Sequence, residues 1–333
     1  MIPDQTARDA ALTSPGIKPA MRETRNDVSL VPYQYTSMRP SQVMHPDRAP
    51  RTSRALLPAA FLVTLAACAS PSARFDAQAA ALGLHRTIVA GAGFRHVVYR
   101  NDGAPAPILH VYIDGDGSPW IAGQPAIDPT PRNALVLRLM AQDPVRSVYV
   151  GRPCYDGAGA DAACSSRFWT TDRYAAAVVA SMASVVRQQM ADGRYRSVGW
   201  FGHSGGGTLA VLLAHVIPQT AWVVTVAAVL DTRSWAASVA HDDLGGSLNP
   251  VDGPPLPSGV RQRHLAGAGD QVVPPVLMAE PARRLGGPLI VVPGFDHVCC
   301  WEHAWPAILQ AAQAGDVTEA ATYQPNVTPT MPP

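Results

Sequence analysis

The segment Arg196–Ile217, "RSVGWFGHSGGGTLAVLLAHVI", constrains the fold more than any other part of the chain. Its first part is a short apolar run, which is typical of a buried strand, and its second part is a longer apolar run that fits a helix. Only a short glycine-rich turn separates the two. A strand that passes so directly into a helix predicts an α/β architecture, in which helices pack against a central sheet.

Ser204 lies in this turn. Residues 202–206, Gly-His-Ser-Gly-Gly, fit the pattern G-x-S-x-G, in which a serine occupies a tight strand-to-helix turn with its hydroxyl exposed. The flanking glycines suit such a turn, because it forces backbone angles that a Cβ atom resists. Ser204 is therefore a candidate nucleophile. A free hydroxyl attacks poorly, so this interpretation requires a base elsewhere in the chain.

The rest of the chain alternates between apolar runs and helical patterns, which predicts about eight strands with an antiparallel start and a parallel remainder. Residues 230–260 are rich in glycine and proline and are expected to be irregular. Helices are expected at Phe75–Leu82, Ala134–Ala141, Thr171–Gln189 and Gly205–Val216. The strand candidates are Thr87–Ala90, Arg95–Arg100, Ile108–Ile113, Ser147–Val150, Ser197–Phe201, Trp222–Ala227, His264–Ala266 and Leu289–Val292.

A candidate acid and a candidate base follow the last two predicted strands. Asp270 stands in "AGAGDQVVPP" and His297 in "VVPGFDHVCCW". A turn-capping aspartate and a buried structural histidine are the plainer interpretations of each residue alone, but they explain the pair poorly. Asp231, after the strand at 222–227, is a rival acid. Asp296 is the weakest candidate, because it would have to fold back on its neighbour His297.

The order Ser204, Asp270, His297 resembles that of the α/β-hydrolase superfamily of serine hydrolases, and the resemblance extends from about Arg86 to Leu309. It implies the α/β-hydrolase fold, with a mostly parallel eight-stranded sheet flanked by helices. It also implies that these three residues form a catalytic triad.

The same resemblance implies an oxyanion hole with one donor at the Gly205 N–H. The second donor is expected in "HVYIDGDGSPW", after the third strand. This loop often begins His-Gly in the family, whereas here it begins Asp114-Gly115. The N–H of Asp116 is the best candidate and that of Gly117 the next. The carboxylate of Asp116 is then expected to point away from the oxyanion.

The segment Met44–Cys68, "MHPDRAPRTSRALLPAAFLVTLAAC", predicts export. Arginines precede a short apolar run and small residues, and the end of the segment resembles the bacterial lipobox, so Cys68 is expected to carry lipid. The apolar run is too short to span a bilayer. The weaker alternative to an export signal is an ordinary apolar helix with a buried cysteine. The protein is then expected at the periplasmic face of a bacterial membrane, with the outer membrane favoured.

These signals divide the chain into four parts. Residues 1–43 are expected to be a mis-assigned extension, with the true start at Met44 or Met38, or else a disordered leader. Residues 44–67 are the predicted lipoprotein signal peptide, 68–315 the α/β-hydrolase domain and 316–333 a flexible tail.

Four cysteines remain after Cys68. In an oxidising periplasm, Cys154 and Cys164 are the expected disulfide, because they flank a short loop rich in glycine and alanine. Cys299 and Cys300 would then form a vicinal disulfide or remain thiols. A zinc site that uses these two cysteines and neighbouring histidines is the weaker alternative, because it would consume the candidate base.

The predicted function is that of a serine hydrolase that cleaves a carboxylic ester of a small acyl substrate, with no metal or organic cofactor implied. The formal net charge is +1 and no basic block with interleaved aromatic residues occurs, which disfavours nucleic acid as a partner. A peptidase, an acyltransferase or a non-catalytic lipoprotein that binds a ligand on the same fold are the alternatives. The sequence does not indicate an oligomeric state.

Overall fold

The computed structural model describes residues 69–193, 195–239 and 244–314. The predicted signal peptide, Cys68 and the predicted tail at 316–333 lie outside the described residues and stay predictions. Among the residues that are described, no helix is long and apolar enough to cross a membrane.

The described residues form one central sheet of eight strands in the order β1-β2-β6-β3-β7-β8-β9-β10. Strand β1 runs antiparallel to β2, β2 runs antiparallel to β6, and the remaining neighbours are parallel. The predicted sheet, with its antiparallel start, is therefore confirmed. Its strands are β1 His85–Ala90, β2 Arg95–Arg100, β3 Ile108–Ile113, β6 Ser147–Val150, β7 Ser197–His203, β8 Thr220–Val226, β9 Arg261–Gly267 and β10 Leu289–Val292.

A small separate hairpin, β4 Trp120–Ile121 with β5 Gln124–Pro125, was not expected from the sequence. Its strands have only two residues each, which is too short for an alternating pattern to reveal. The turn between them places Ala122 and Gly123 at positive φ, of 49° and 75°.

Seven helices flank the strands within the described residues: α1 Pro71–Ala81, α2 Leu135–Ala141, α3 Ala176–Gly193, α4 Gly205–Val216, α5 Thr232–Val239, α6 Pro275–Leu285 and α7 Trp301–Ala314. The prediction that residues 230–260 are irregular is wrong over α5. Helix α3 also begins later than the expected Thr171, because Asp172 and Tyr174 are held in a turn before it.

Both faces of the sheet are covered, which explains the uninterrupted apolar runs of its central strands. Trp200 packs in the core on the face that carries α3 and α4, whereas the next residue, Phe201, packs on the face that carries α1, α2 and α7. The parallel strands therefore end at one common edge, where the loops after β3, β7, β9 and β10 meet.

Candidate active site

Ser204 occupies a sharp turn between β7 and α4. Its backbone has φ 52° and ψ −125°, a left-handed conformation that is unfavourable for any residue with a side chain. A Cβ atom added to Gly206 would lie only 2.1 Å from the main-chain oxygen of Ile113 in β3. Helix α4 therefore begins in close contact with the sheet, and glycine is required at this position.

His297 and Asp270 are brought together at the ends of β9 and β10. The Nδ1 atom of His297 lies 2.9 Å from Oδ2 of the buried Asp270, and Oδ1 of the same carboxylate accepts the N–H groups of Val272 and Val273. Because a carboxylate accepts, His297 donates from Nδ1. In the neutral ring, Nε2 then carries the free lone pair, which is the tautomer a general base needs.

The two rival acids have other partners. Asp231 caps α5 by accepting the N–H groups of Arg233 and Ser234, and it also accepts from Asn249. Burial opposes its ionisation, but hydrogen bonds from Ser234 and Asn249 outweigh burial and hold the pKa of Asp231 below its usual value. Asp231 therefore lies in a helix cap, away from the imidazole hydrogen bond that Asp270 makes.

Asp296 caps the turn that follows it. Its Oδ1 accepts the N–H groups of Val298 at 2.8 Å and Cys299 at 2.6 Å. Both backbone hydrogen bonds lower the pKa of Asp296, and the one from Cys299 has the larger effect. The carboxylate is therefore engaged with the backbone and does not hydrogen-bond to the ring of His297.

Ser204 and His297 line one cleft of about 520 Å³. Within the described residues the Ser204 hydroxyl makes no direct hydrogen bond to the His297 ring; such contacts are often loose before a substrate binds.

The residue before the serine, His203, also contributes to the site. His203 donates from Nε2 to the main-chain oxygen of His297 at 2.8 Å, and the two rings lie 4.9 Å apart. His203 thus ties the turn at Ser204 to the loop of His297, a role that the sequence reasoning missed.

The loop after β3 passes directly beside Ser204. A Cβ atom added to Gly115 would lie 3.0 Å from the Cβ atom of Ser204. Among the described residues, neither the N–H of Asp116 nor that of Gly205 has a hydrogen-bond acceptor. The loop that carries Asp116 and the start of α4 therefore both adjoin Ser204.

The carboxylate of Asp116 is surrounded by donors, and we call the four residues involved the Asp116 cluster: Asp116, Arg152, Arg173 and Tyr174. Arg152 donates to Oδ1, while Arg173 at 2.9 Å and the Tyr174 hydroxyl at 2.6 Å donate to Oδ2. Burial opposes ionisation, but the two guanidinium groups outweigh it and hold the pKa of Asp116 well below its usual value. A separate residue, Tyr155, donates to the main-chain oxygen of Asp116 at 3.1 Å.

The carboxylate of Asp116 lies against the start of α4, since a Cβ atom added to Gly205 would lie 2.1 Å from Oδ1. Arg152 and Arg173 both pair with this carboxylate and compensate its negative charge. Arg152 and Arg173 come from distant loops and are almost fully buried. Sequence reasoning missed both arginines, and no local motif marks them.

The four cysteines of the described residues form two disulfides. Cys154 and Cys164 are bonded, as expected, and they close the loop that carries Tyr155. Cys299 and Cys300 are bonded to each other beside His297. Among the described residues, no group of three or more histidine, cysteine, aspartate and glutamate side chains is arranged to hold a metal ion.

No protein-family model matches this chain, and no curated protein matches its sequence. Solved structures do match. A protein of unknown function from Agrobacterium tumefaciens, named as a candidate α/β hydrolase, has a TM-score of 0.50 at 13% identity, over 70% of this chain and 98% of that one. A bacterial membrane phospholipase A has a TM-score of 0.50 at 15% identity, over 74% and 92%. An esterase from Pyrococcus furiosus has a TM-score of 0.51 at 11% identity, over 71% and 94%. The chain therefore has the α/β-hydrolase fold, as predicted from the sequence.

The close contact at Gly206 predicts a stability effect. We expect Gly206→Ala to lower the free energy of unfolding by about 1–3 kcal/mol, because the added methyl group forces α4 away from β3. Gly259→Ala is the matched control, since a Cβ atom there meets nothing within 4 Å. Thermal unfolding of both variants measures the difference, and equal melting temperatures would contradict the prediction.

Proposed function

We propose that this protein is a serine hydrolase that cleaves carboxylic esters through an acyl-enzyme intermediate. The observation that carries the proposal is the hydrogen bond between His297 and the buried Asp270 at the cleft that also contains Ser204. The strained backbone of Ser204 supports it, because such strain is common where a nucleophile must be exposed.

In the proposed mechanism, Ser204 Oγ attacks the carbonyl carbon of the ester while His297 Nε2 takes the hydroxyl proton. The tetrahedral intermediate then collapses, and His297 returns the proton to the leaving alcohol. Water, activated by the same nitrogen, attacks the acyl-enzyme, releases the acid and restores Ser204. Asp270 holds the imidazole in the required tautomer and stabilises its cation.

The negative charge of the tetrahedral intermediate is stabilised by the N–H groups of Gly205 and Asp116. Gly205 is the first residue of α4, so the positive end of the helix dipole adds to the effect. The guanidinium groups of the Asp116 cluster neutralise the carboxylate that lies against Gly205, in a buried environment where electrostatic interactions are strong. Tyr155 and the cluster also fix the orientation of the Asp116 backbone.

An ester is the proposed scissile bond because an esterase and a phospholipase are among the similar structures. The same residues could serve a peptidase or an acyltransferase, and a panel of ester and amide substrates separates these activities.

We also propose that Cys68 is lipidated and that the domain lies on the periplasmic face of a bacterial membrane. The two disulfides of the described residues support an oxidising compartment.

Covalent labelling tests the nucleophile. We expect a fluorophosphonate probe to label the wild type at Ser204, because the probe traps an activated serine hydroxyl, and we expect Ser204→Ala to abolish both labelling and ester hydrolysis. Mass spectrometry of the labelled peptide identifies the residue. Labelling that persists in the alanine variant would exclude this mechanism.

A pair of variants tests the acid. We expect Asp270→Asn to lower kcat by on the order of 10⁴, as the equivalent change does in a serine protease, because the imidazole then adopts the wrong tautomer. Asp231→Asn is the matched control and should lower kcat far less, since Asp231 caps a helix. Both variants are first compared with the wild type by thermal unfolding. The reverse ranking would assign the acid to Asp231 and leave Ser204 and His297 in place.

A second pair tests the support of the oxyanion loop. We expect Tyr155→Phe to lower kcat about tenfold with KM nearly unchanged, because a slightly misplaced donor weakens transition-state binding most. Tyr112→Phe is the control, since it removes a similar buried hydroxyl that donates to Asp143 elsewhere. Steady-state kinetics of both variants, at matched stability, measure the difference. Equal kcat values for the two variants would remove Tyr155 from the proposed mechanism.

A further inference from the structure

Three large apolar side chains are exposed next to the cleft, and we call them the rim patch: Trp120, Ile121 and Ile127. Their exposed fractions are 40%, 46% and 100%. Trp120 and Ile121 form strand β4 of the small hairpin, and Ile127 follows that hairpin closely in the chain. Exposed apolar side chains that lie close together mark surfaces that interact with a protein or a membrane.

The rim patch continues into the mouth of the cleft. Trp120 lines the cleft together with Val272 and Val298, which are also exposed. Val272 and Val298 each lie within two residues of the proposed acid and base. The apolar surface therefore extends from the hairpin to the opening that leads to Ser204.

The chain enters the domain beside this same surface. The N–H of Ser72, in the first turn of α1, donates to Oδ2 of Asp128 at 2.9 Å, and Asp128 directly follows Ile127. Cys68 precedes Ser72 by four residues, which span at most about 14 Å when fully extended. A lipid attached to Cys68 is therefore tethered within about 14 Å of Ser72, which hydrogen-bonds to the residue after Ile127.

The charged residue at the rim fits a phospholipid surface. Arg132 is exposed, lines the cleft and donates from Nε to the hydroxyl of Ser118, which precedes the hairpin by two residues. Its guanidinium group suits the phosphate of a lipid headgroup. A tryptophan with one apolar and one polar side, such as Trp120, is also favoured at the membrane interface.

We propose that the rim patch docks onto the bilayer that holds the lipid anchor, so that the cleft opens onto the membrane surface and takes acyl esters of that leaflet as substrates. The occupant is a lipid surface because the tether at Cys68 holds the patch beside one. A single acyl chain binds membranes only weakly, so a second apolar contact stabilises attachment and also sets the orientation of the domain. The identity of the substrate rests on the proposed ester hydrolysis, and the docking rests on the proposed lipidation of Cys68 but not on the hydrolysis.

The experiment uses the lipidated full chain in vesicles of phosphatidylethanolamine and phosphatidylglycerol. The test variant is Ile121→Ser/Ile127→Ser, whose two positions do not line the cleft. The control is Ile88→Ser/Val216→Ser, which removes two exposed apolar side chains from β1 and from the end of α4. Hydrolysis of a soluble short-chain ester, hydrolysis of a long-chain ester in the vesicle, and quenching of tryptophan fluorescence by brominated lipids are measured for each.

We expect the test variant to hydrolyse the soluble ester at the wild-type rate. Its rate of hydrolysis of the vesicle ester should fall at least tenfold, and most of the fluorescence quenching should be lost. The control variant should match the wild type in all three measurements. A test variant that retains vesicle activity and quenching overturns the docking. The docking is also overturned if mass spectrometry finds no lipid on Cys68. It is overturned as well if brominated lipids do not quench the tryptophan fluorescence of the wild type and the protein dimerises through the rim patch instead. A wild type that is quenched but hydrolyses neither ester contradicts the proposed function and leaves the docking supported.

Discussion

The close approach of α4 to the sheet is the constraint on which the rest of the site depends. The helix begins where Gly206 touches the backbone of β3, and a Cβ atom on Gly207 would lie only 2.5 Å from that of Ala228 after β8. Ser204 has a left-handed backbone, and such strain persists only where the surrounding structure imposes it. Since three parallel strands are held against one helix end, the loops that follow them converge on the serine.

The Asp116 cluster shows how a buried charge can serve a site. Removing a carboxylate and two guanidinium groups from water is expensive, and an apolar core of the same volume is often as stable. The cluster instead fixes the loop beside Ser204 to the loop of Arg152 and to the turn before α3 that carries Arg173. We infer that this rigidity serves the proposed oxyanion hole more than it serves stability.

The sequence predicted the sheet well because its signals are local. Strands such as Ile108–Ile113 are continuous apolar runs, and the turn at Ser204 carries its own glycine pattern. It also predicted that Asp270 and His297 follow the last two strands, and the structure brings the two side chains into a hydrogen bond there, because parallel strands end at a common edge. Helix α5 was missed because its start depends on Asp231 accepting backbone N–H groups, a contact that composition does not reveal. Arg152, Arg173 and His203 were missed because their partners are distant in the chain, and only the folded structure brings these groups together.

Because the Asp116 cluster is buried, its ion pairs and those at the surface respond differently to ionic strength. Salt screens charges across exposed water, with a Debye length of about 8 Å at physiological concentration, and therefore weakens surface pairs such as Arg233 with Asp252. Arg152 and Arg173 are each at most 2% exposed in their side chains, so mobile ions do not come between them and Asp116. The ion pairs of the Asp116 cluster thus respond little to the salt content of the surrounding fluid, whereas any contact made by the exposed Arg132 with lipid phosphate responds to it.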